Sequence, residues 1–171
     1  MDAREGLKYF IYSLIILFLQ IFVFNNIEFG SGLFVSLPIL FILLLPIEMS
    51  KWLLLFLAFS FGLTIDIFSD TLALNTAGLV FSAFLRPAVL SLLQPSEGFE
   101  PGKKPSVFYF GFSKFLIYAS IHTLAFEIVY YLFEIFSFSK FFIIIYKSLI
   151  AGIMSVITIT IIHILFLRNK K

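Results

Sequence analysis

Long stretches without charge constrain this chain more than any other feature. No charged residue occurs from Tyr9 to Ile27 or from Phe29 to Ile47, and the apolar runs that follow carry few. Backbone N–H and C=O groups find no water in hydrocarbon, so a chain crossing it must be helical or closed into a barrel. Barrel strands alternate polar and apolar residues over about ten positions. Runs such as "FILLLP" and "FFIIIY" do not alternate. The chain is 61% hydrophobic and 13% charged, whereas soluble domains hold about 45–50% apolar and about 25% charged residues. The expectation is an all-α, polytopic membrane protein forming one integral domain over residues 1–171.

At about 20 residues per crossing, six transmembrane helices fit: residues 9–27, 29–47, 52–68, 71–86, 112–136 and 141–167. The second is the most interrupted, by Gly30, Gly32, Pro38 and Pro46, and is expected to be short, kinked or tilted. The start, "MDAREGLKYFIYSLIILF", has the basic flank and apolar core of a signal peptide but no small-x-small cleavage site, which suggests a retained first helix. The sizeable loop is 94–106, "QPSEGFEPGKKPS". With an internal N-terminus, cytoplasmic flanks hold Arg4, Lys8, Lys51, Lys103, Lys104, Lys114, Arg168, Lys170 and Lys171, and external flanks hold Lys140. The positive-inside rule therefore places both termini in the cytoplasm. Net charge is +2 with no basic patch, which gives nucleic-acid binding no support. The absence of cysteine excludes disulfides and thiolate-held metals. No cofactor is expected. The many phenylalanines suit lipid-facing positions, which accept any apolar side chain.

Charges inside these runs are the candidates for chemistry. Asp66 lies about one helical turn, ~6 Å, inside the external end of the third span, and Asp70 falls in the turn. Four residues apart, they share a face if the helix continues, and could act as acid and base or hold a cation. "SDT" equally suggests a cap, with Ser69 or Asp70 accepting from the first N–H groups of the next helix. Arg86 is expected at the cytoplasmic end of the fourth span, its stem snorkelling to headgroups. Pro87 then ends the helix, and "AVLSLLQP" lies along the surface.

The fifth span carries Ser120, Thr123, Glu127, Tyr130 or Tyr131, and Glu134 at helical spacing, a polar stripe on one face. Intramembrane carboxylates normally face protein and have partners. Lys147, heading Ala151, Ser155 and Thr158 on the sixth span, offers one. Its depth lies between Glu134 and Glu127, and outward snorkelling of lysine favours Glu134 slightly. A structural ion pair, a proton or cation relay, and a partner contact are the three uses of such a set. His122 and His163 stand alone, too few for a metal site. No H-E-x-x-H, G-x-S-x-G, phosphate loop or dinucleotide glycine pattern is present.

The stretch from Gly62 to Arg86 resembles the MreD family of rod shape-determining membrane proteins. The family pattern has a glycine and an aspartate ending one helix, then a Leu-Gly-Leu-His-Ala-like entry to the next. Here those positions read Gly62-Leu63, Asp66 and "LALNTA", Leu72 to Ala77, with Ala73 for the usual glycine and Asn75 for the usual histidine. The histidine's absence weakens any role specific to it. "FLRPAVLSLLQPSEGFE", with Arg86 and Pro87, and Glu134 in "YLFEIFSF" are similar to one branch of the family.

The resemblance implies a non-enzymatic scaffold in the bacterial cytoplasmic (inner) membrane, serving cell elongation and lateral peptidoglycan synthesis. It implies an MreC-like partner and, through it, MreB, RodA and a penicillin-binding transpeptidase. It also implies a fold similar to the substrate-binding subunits of energy-coupling-factor transporters. Contact with membrane lipid follows from the spans, and homo-oligomerisation is compatible with the reading. The alternative function is a substrate-binding subunit of a vitamin-type transporter, which needs an outward pocket lined with polar groups. The short external loops hold few such groups. A lipid-handling enzyme comes third.

Overall fold

The computed structural model describes residues 3–27, 32–100 and 104–166. Lys103, Arg168, Lys170 and Lys171, used in the charge comparison, lie outside them, as do residues 29–31 of the second expected span and the expected end of the sixth at Leu167. The described residues form seven helices and no strand: α1 (Ala3–Phe22), α2 (Pro38–Leu44), α3 (Lys51–Ser69), α4 (Leu74–Leu93), α5 (Val107–Phe110), α6 (Phe112–Ile135) and α7 (Phe141–Phe166). Short 3-10 turns follow α1 at Phe24–Asn26 and precede α7 at Phe138–Lys140. The chain is an all-α, polytopic membrane protein. Five helical stretches are long and apolar enough to cross a membrane: Gly6–Asn26, Lys51–Ser69, Leu74–Leu93, Phe112–Ile135 and Phe141–Leu165.

The second expected span is not one long helix. Residues 33–37 have no regular structure, and only Pro38–Leu44 coil into α2. The prolines set this length. Pro38 occupies the first turn, where its missing N–H is harmless. Pro46 forces Leu45 into extended backbone at φ −63°, ψ 150° and so stops the helix. Every residue of α2 is buried, because α2 packs against α1, α3, α4 and α6 together. Non-helical backbone at membrane depth is tolerated where protein surrounds it, and here it does.

Around this central segment the largest interfaces join α3 to α4, α4 to α6 and α6 to α7. Close approach at the first depends on Gly62, where a Cβ would stand 2.6 Å from the Thr76 Cα. Small residues at such crossings let backbones come together without a gap. α1 is the most peripheral of the long helices. Leu7, Phe10, Leu14, Phe18 and Phe22 form an exposed stripe along it, the pattern of a helix face turned to lipid.

The fourth span also differs from expectation. α4 does not stop at Arg86 but continues through Pro87 to Leu93. Val89 and Leu90 beyond the proline are buried in the core rather than lying along a surface. Packing of that last segment outweighs the lost hydrogen bond and ring crowding that a mid-helix proline brings. Arg86 thereby sits within the helix and not at its end.

Candidate functional site

Asp66 is buried at the end of α3. The helix closes with Asp70 in the left-handed region (φ 53°), its N–H donated to the Asp66 carbonyl. Ala73, also left-handed (φ 60°), turns the chain directly into α4. This reversal lays the first turn of α4 against the Asp66 carboxylate. Oδ1 accepts from Thr71 Oγ1 (2.5 Å), Asn75 N (3.0 Å) and Asn75 Nδ2 (3.0 Å). Oδ2 accepts from Thr76 N (2.8 Å) and Thr76 Oγ1 (2.6 Å). Asn75 and Thr76 are the second and third residues of α4, whose N–H groups an N-cap side chain would ordinarily satisfy. Asp66 does so from the neighbouring helix, placing negative charge at the positive end of the α4 dipole.

The expected cap is thus present, but on a different residue. Ser69 Oγ instead accepts from Asn25 Nδ2 at 2.5 Å. Asp70 is exposed, and because the helix ends before it, it does not share a face with the buried Asp66. An acid–base pair of the two carboxylates is therefore not formed.

Arg86 does not snorkel. It is 1% exposed, with Nε donating to Tyr118 Oη at 2.8 Å, Nη1 to the Pro46 carbonyl at 3.1 Å, and Nη2 to the Leu45 carbonyl. Leu45 and Pro46 are the first two residues after α2, where the chain leaves the helix, and a guanidinium is suited to take several carbonyls at once. Arg86 closes the C-terminal end of α2 and ties it to α4 and, through Tyr118, to α6. The longer α4 explains the difference from expectation, since it holds the side chain over α2 and away from the bundle's end. Pro87, beside it, is half-buried within the helix.

The irregular segment before α2 receives its hydrogen bonds from side chains. The Leu37 N–H donates to Gln20 Oε1 at 2.8 Å and the Ser36 N–H to Ser155 Oγ at 2.8 Å, while Tyr131 Oη donates to the Gly32 carbonyl at 3.3 Å. Gln20 Nε2 then donates to Asn25 Oδ1 at 2.6 Å, joining α1 to the turn after it. The result is a polar pocket of about 300 Å³ at the end of the bundle where α3 finishes and α4 begins. Gln20, Asn25, Ser36, Thr71, Asn75 and Glu127 supply its polar wall. Phe34, Phe68, Tyr130 and Tyr131 line much of the rest, with Ile21, Asn26 and Ser69. The short external loops promised few polar groups, but most of these come from within the spans.

Glu127, 1% exposed, lies in this wall. Its Oε1 accepts from Ser155 Oγ at 3.1 Å, the same hydroxyl that accepts from the Ser36 N–H. Lys147 goes to Glu134, Nζ to Oε2 3.7 Å, where both side chains are partly exposed. Lys147 also stands 5.3 Å from the centre of the Tyr131 ring. The stripe on α6 therefore divides. Thr123 and Glu127 face the interior, while Glu134 lies near the surface. His122 is buried with Nδ1 3.0 Å from Ser82 Oγ, and His163 is buried against Phe115.

Asp66 and Asn75 form one cluster; Glu134 and Lys147 form a second. Arg86 lies with neither. Sequence reasoning passed over Gln20, Asn25, Ser36 and Tyr118. A lone glutamine inside an uncharged run was the available signal, because a polar residue there must find a partner. Compared with known proteins, the chain matches no family model, no curated protein and no solved structure.

Proposed function

We propose that this chain is a non-enzymatic scaffold of the bacterial cell-elongation machinery, contributing to rod shape and lateral cell-wall synthesis through protein partners. Its support in sequence is the resemblance to the MreD family between Gly62 and Arg86. The observation that carries the reading is the double anchor within that stretch. Asp66 fastens α3 to α4, and Arg86 fastens α4 to α2 and α6. A general base needs a lone pair directed at substrate, yet both Asp66 oxygens accept from the protein itself. Arginine does not deprotonate in proteins and so cannot serve as a base. These residues suit a rigid body that presents surfaces to others.

In this reading the chain passes the inner membrane six times, by the five long helices and by the segment ending in α2. Both termini and the 94–106 loop then lie in the cytoplasm, and the polar pocket opens outside. A reporter fused after Lys171 should be active on the cytoplasmic side, and activity only outside contradicts the even number of passages. Depletion should turn rod-shaped cells round, with Asp66→Asn retaining partial shape support. Turnover of lipid or cell-wall precursor by the purified protein, lost in Asp66→Asn, would overturn the scaffold.

The pocket favours a second reading, a substrate-binding subunit of a small-solute transporter. Its polar wall and volume of about 300 Å³ fall at the lower end of the range for small-molecule sites, roughly 300–1,000 Å³. Such a subunit would co-purify with an ATPase pair and a shared transmembrane coupling subunit.

A further inference from the structure

The pocket wall holds a buried carboxyl group, Glu127, that no cation among the described residues pairs with. Glu127 accepts from Ser155 Oγ, a neutral donor. Among the described residues the cations are engaged elsewhere or do not line the pocket: Lys147 pairs with Glu134, and Arg86 is fixed to Tyr118, Leu45 and Pro46. No lysine, arginine or histidine contributes to the wall. Asp66 stands behind Thr71 and Asn75 and adds a second carboxylate, whose charge the start of α4 offsets. Hydroxyls disperse the charge of a buried carboxylate but do not neutralise it, and an ionised carboxylate taken out of water is costly unless paired.

The rest of the wall is suited to the complementary ion. Phe34, Phe68, Tyr130 and Tyr131 line the same space, Tyr131 with the Lys147 ammonium already 5.3 Å from its ring centre, and aromatic rings attract ammonium groups, most strongly where water is excluded. The volume, about 300 Å³, equals that of about ten water molecules at ~30 Å³ each. A carboxylate at the wall, rings around it and room for a small molecule form one coherent set.

We propose that this pocket binds a small organic cation, an amine or a quaternary ammonium compound, with its charge against Glu127 and its body among the rings. The inference rests on the pocket alone, not on the scaffold or transporter reading. A scaffold could carry such a ligand as a structural or regulatory component, and loss of the partners would leave this site untouched.

The test uses the full chain, purified in lipid nanodiscs, with choline and putrescine as probes at constant ionic strength. Dimethylbutanol, the uncharged isostere of choline, serves as the control. Saturable binding of at least one cation should raise the unfolding temperature, and dimethylbutanol should bind at least about tenfold more weakly. Glu127→Gln should weaken cation binding by about tenfold or more and leave any binding of dimethylbutanol little changed. Equal binding of choline and dimethylbutanol with no putrescine binding, no saturable response to either cation, or unaltered cation affinity in Glu127→Gln would each overturn the proposal. So would an equal effect from sodium chloride alone. If Glu127→Gln does not fold, the comparison of choline with its isostere on the unsubstituted chain still decides the matter.

Discussion

At the scale of single residues, two buried charges are held by hydrogen bonds to groups that other elements leave unsatisfied. Asp66 takes the first free N–H groups of α4, and Arg86 takes the carbonyls of Leu45 and Pro46, the two residues that follow α2. Replacing Asp66 by Asn exchanges one acceptor oxygen for an NH₂ donor, which must then face N–H or O–H donors. Hydrogen bonds to charged groups contribute roughly 1.5–3 kcal/mol each, so Asp66→Asn should destabilise by about 2–4 kcal/mol. Denaturant unfolding of the protein in detergent would read this as a lower midpoint with little change in slope. Arg86→Lys should also be destabilising despite its retained charge, because an ammonium on a flexible stem does not reproduce the planar fork. Arg86→Ala should be worse, leaving the Leu45 and Pro46 carbonyls and Tyr118 Oη each without that donor. Limited proteolysis around residues 45–50 should rank the three proteins in that order. Equal resistance would show that the guanidinium does not hold α2.

At the scale of elements, the long helices were legible because uncharged runs of membrane length permit few other structures. Both ends of α6 and the start of α7 fell close to expectation for the same reason. What escaped was decided by contacts distant in sequence. The segment before α2 stays irregular because Gln20 and Ser155, on α1 and α7, satisfy its N–H groups. The Asp66 cap escaped because it depends on left-handed backbone at Asp70 and Ala73, positions where glycine is usual. The α6–α7 hairpin was more legible, and its ion pair joins Lys147 to Glu134, the partner that outward snorkelling of the lysine preferred. At 3.7 Å and partly exposed, this pair is screened and should contribute about 1 kcal/mol or less, far below the roughly 3–5 kcal/mol lost when a dry buried pair is broken. Glu134→Gln and Lys147→Met should each lower the folded yield in membranes modestly, and the double mutant should recover part of it. Additive losses would show that the two side chains do not couple.

At the scale of the whole molecule, Asp66 and Arg86 serve to fasten a bundle, and one set of polar groups gathers around a pocket where α3 meets α4. The first property suits a scaffold, and the second leaves room for a small ligand within it. The two readings of function predict different company. Affinity purification of the tagged chain from native membranes, with identification of what remains bound, therefore tests the central claim most directly. The scaffold account predicts an MreC-like protein and, through it, components of the cell-wall synthesis machinery. Recovery of an ATPase pair with a shared transmembrane coupling subunit, and no such cell-wall components, would contradict it.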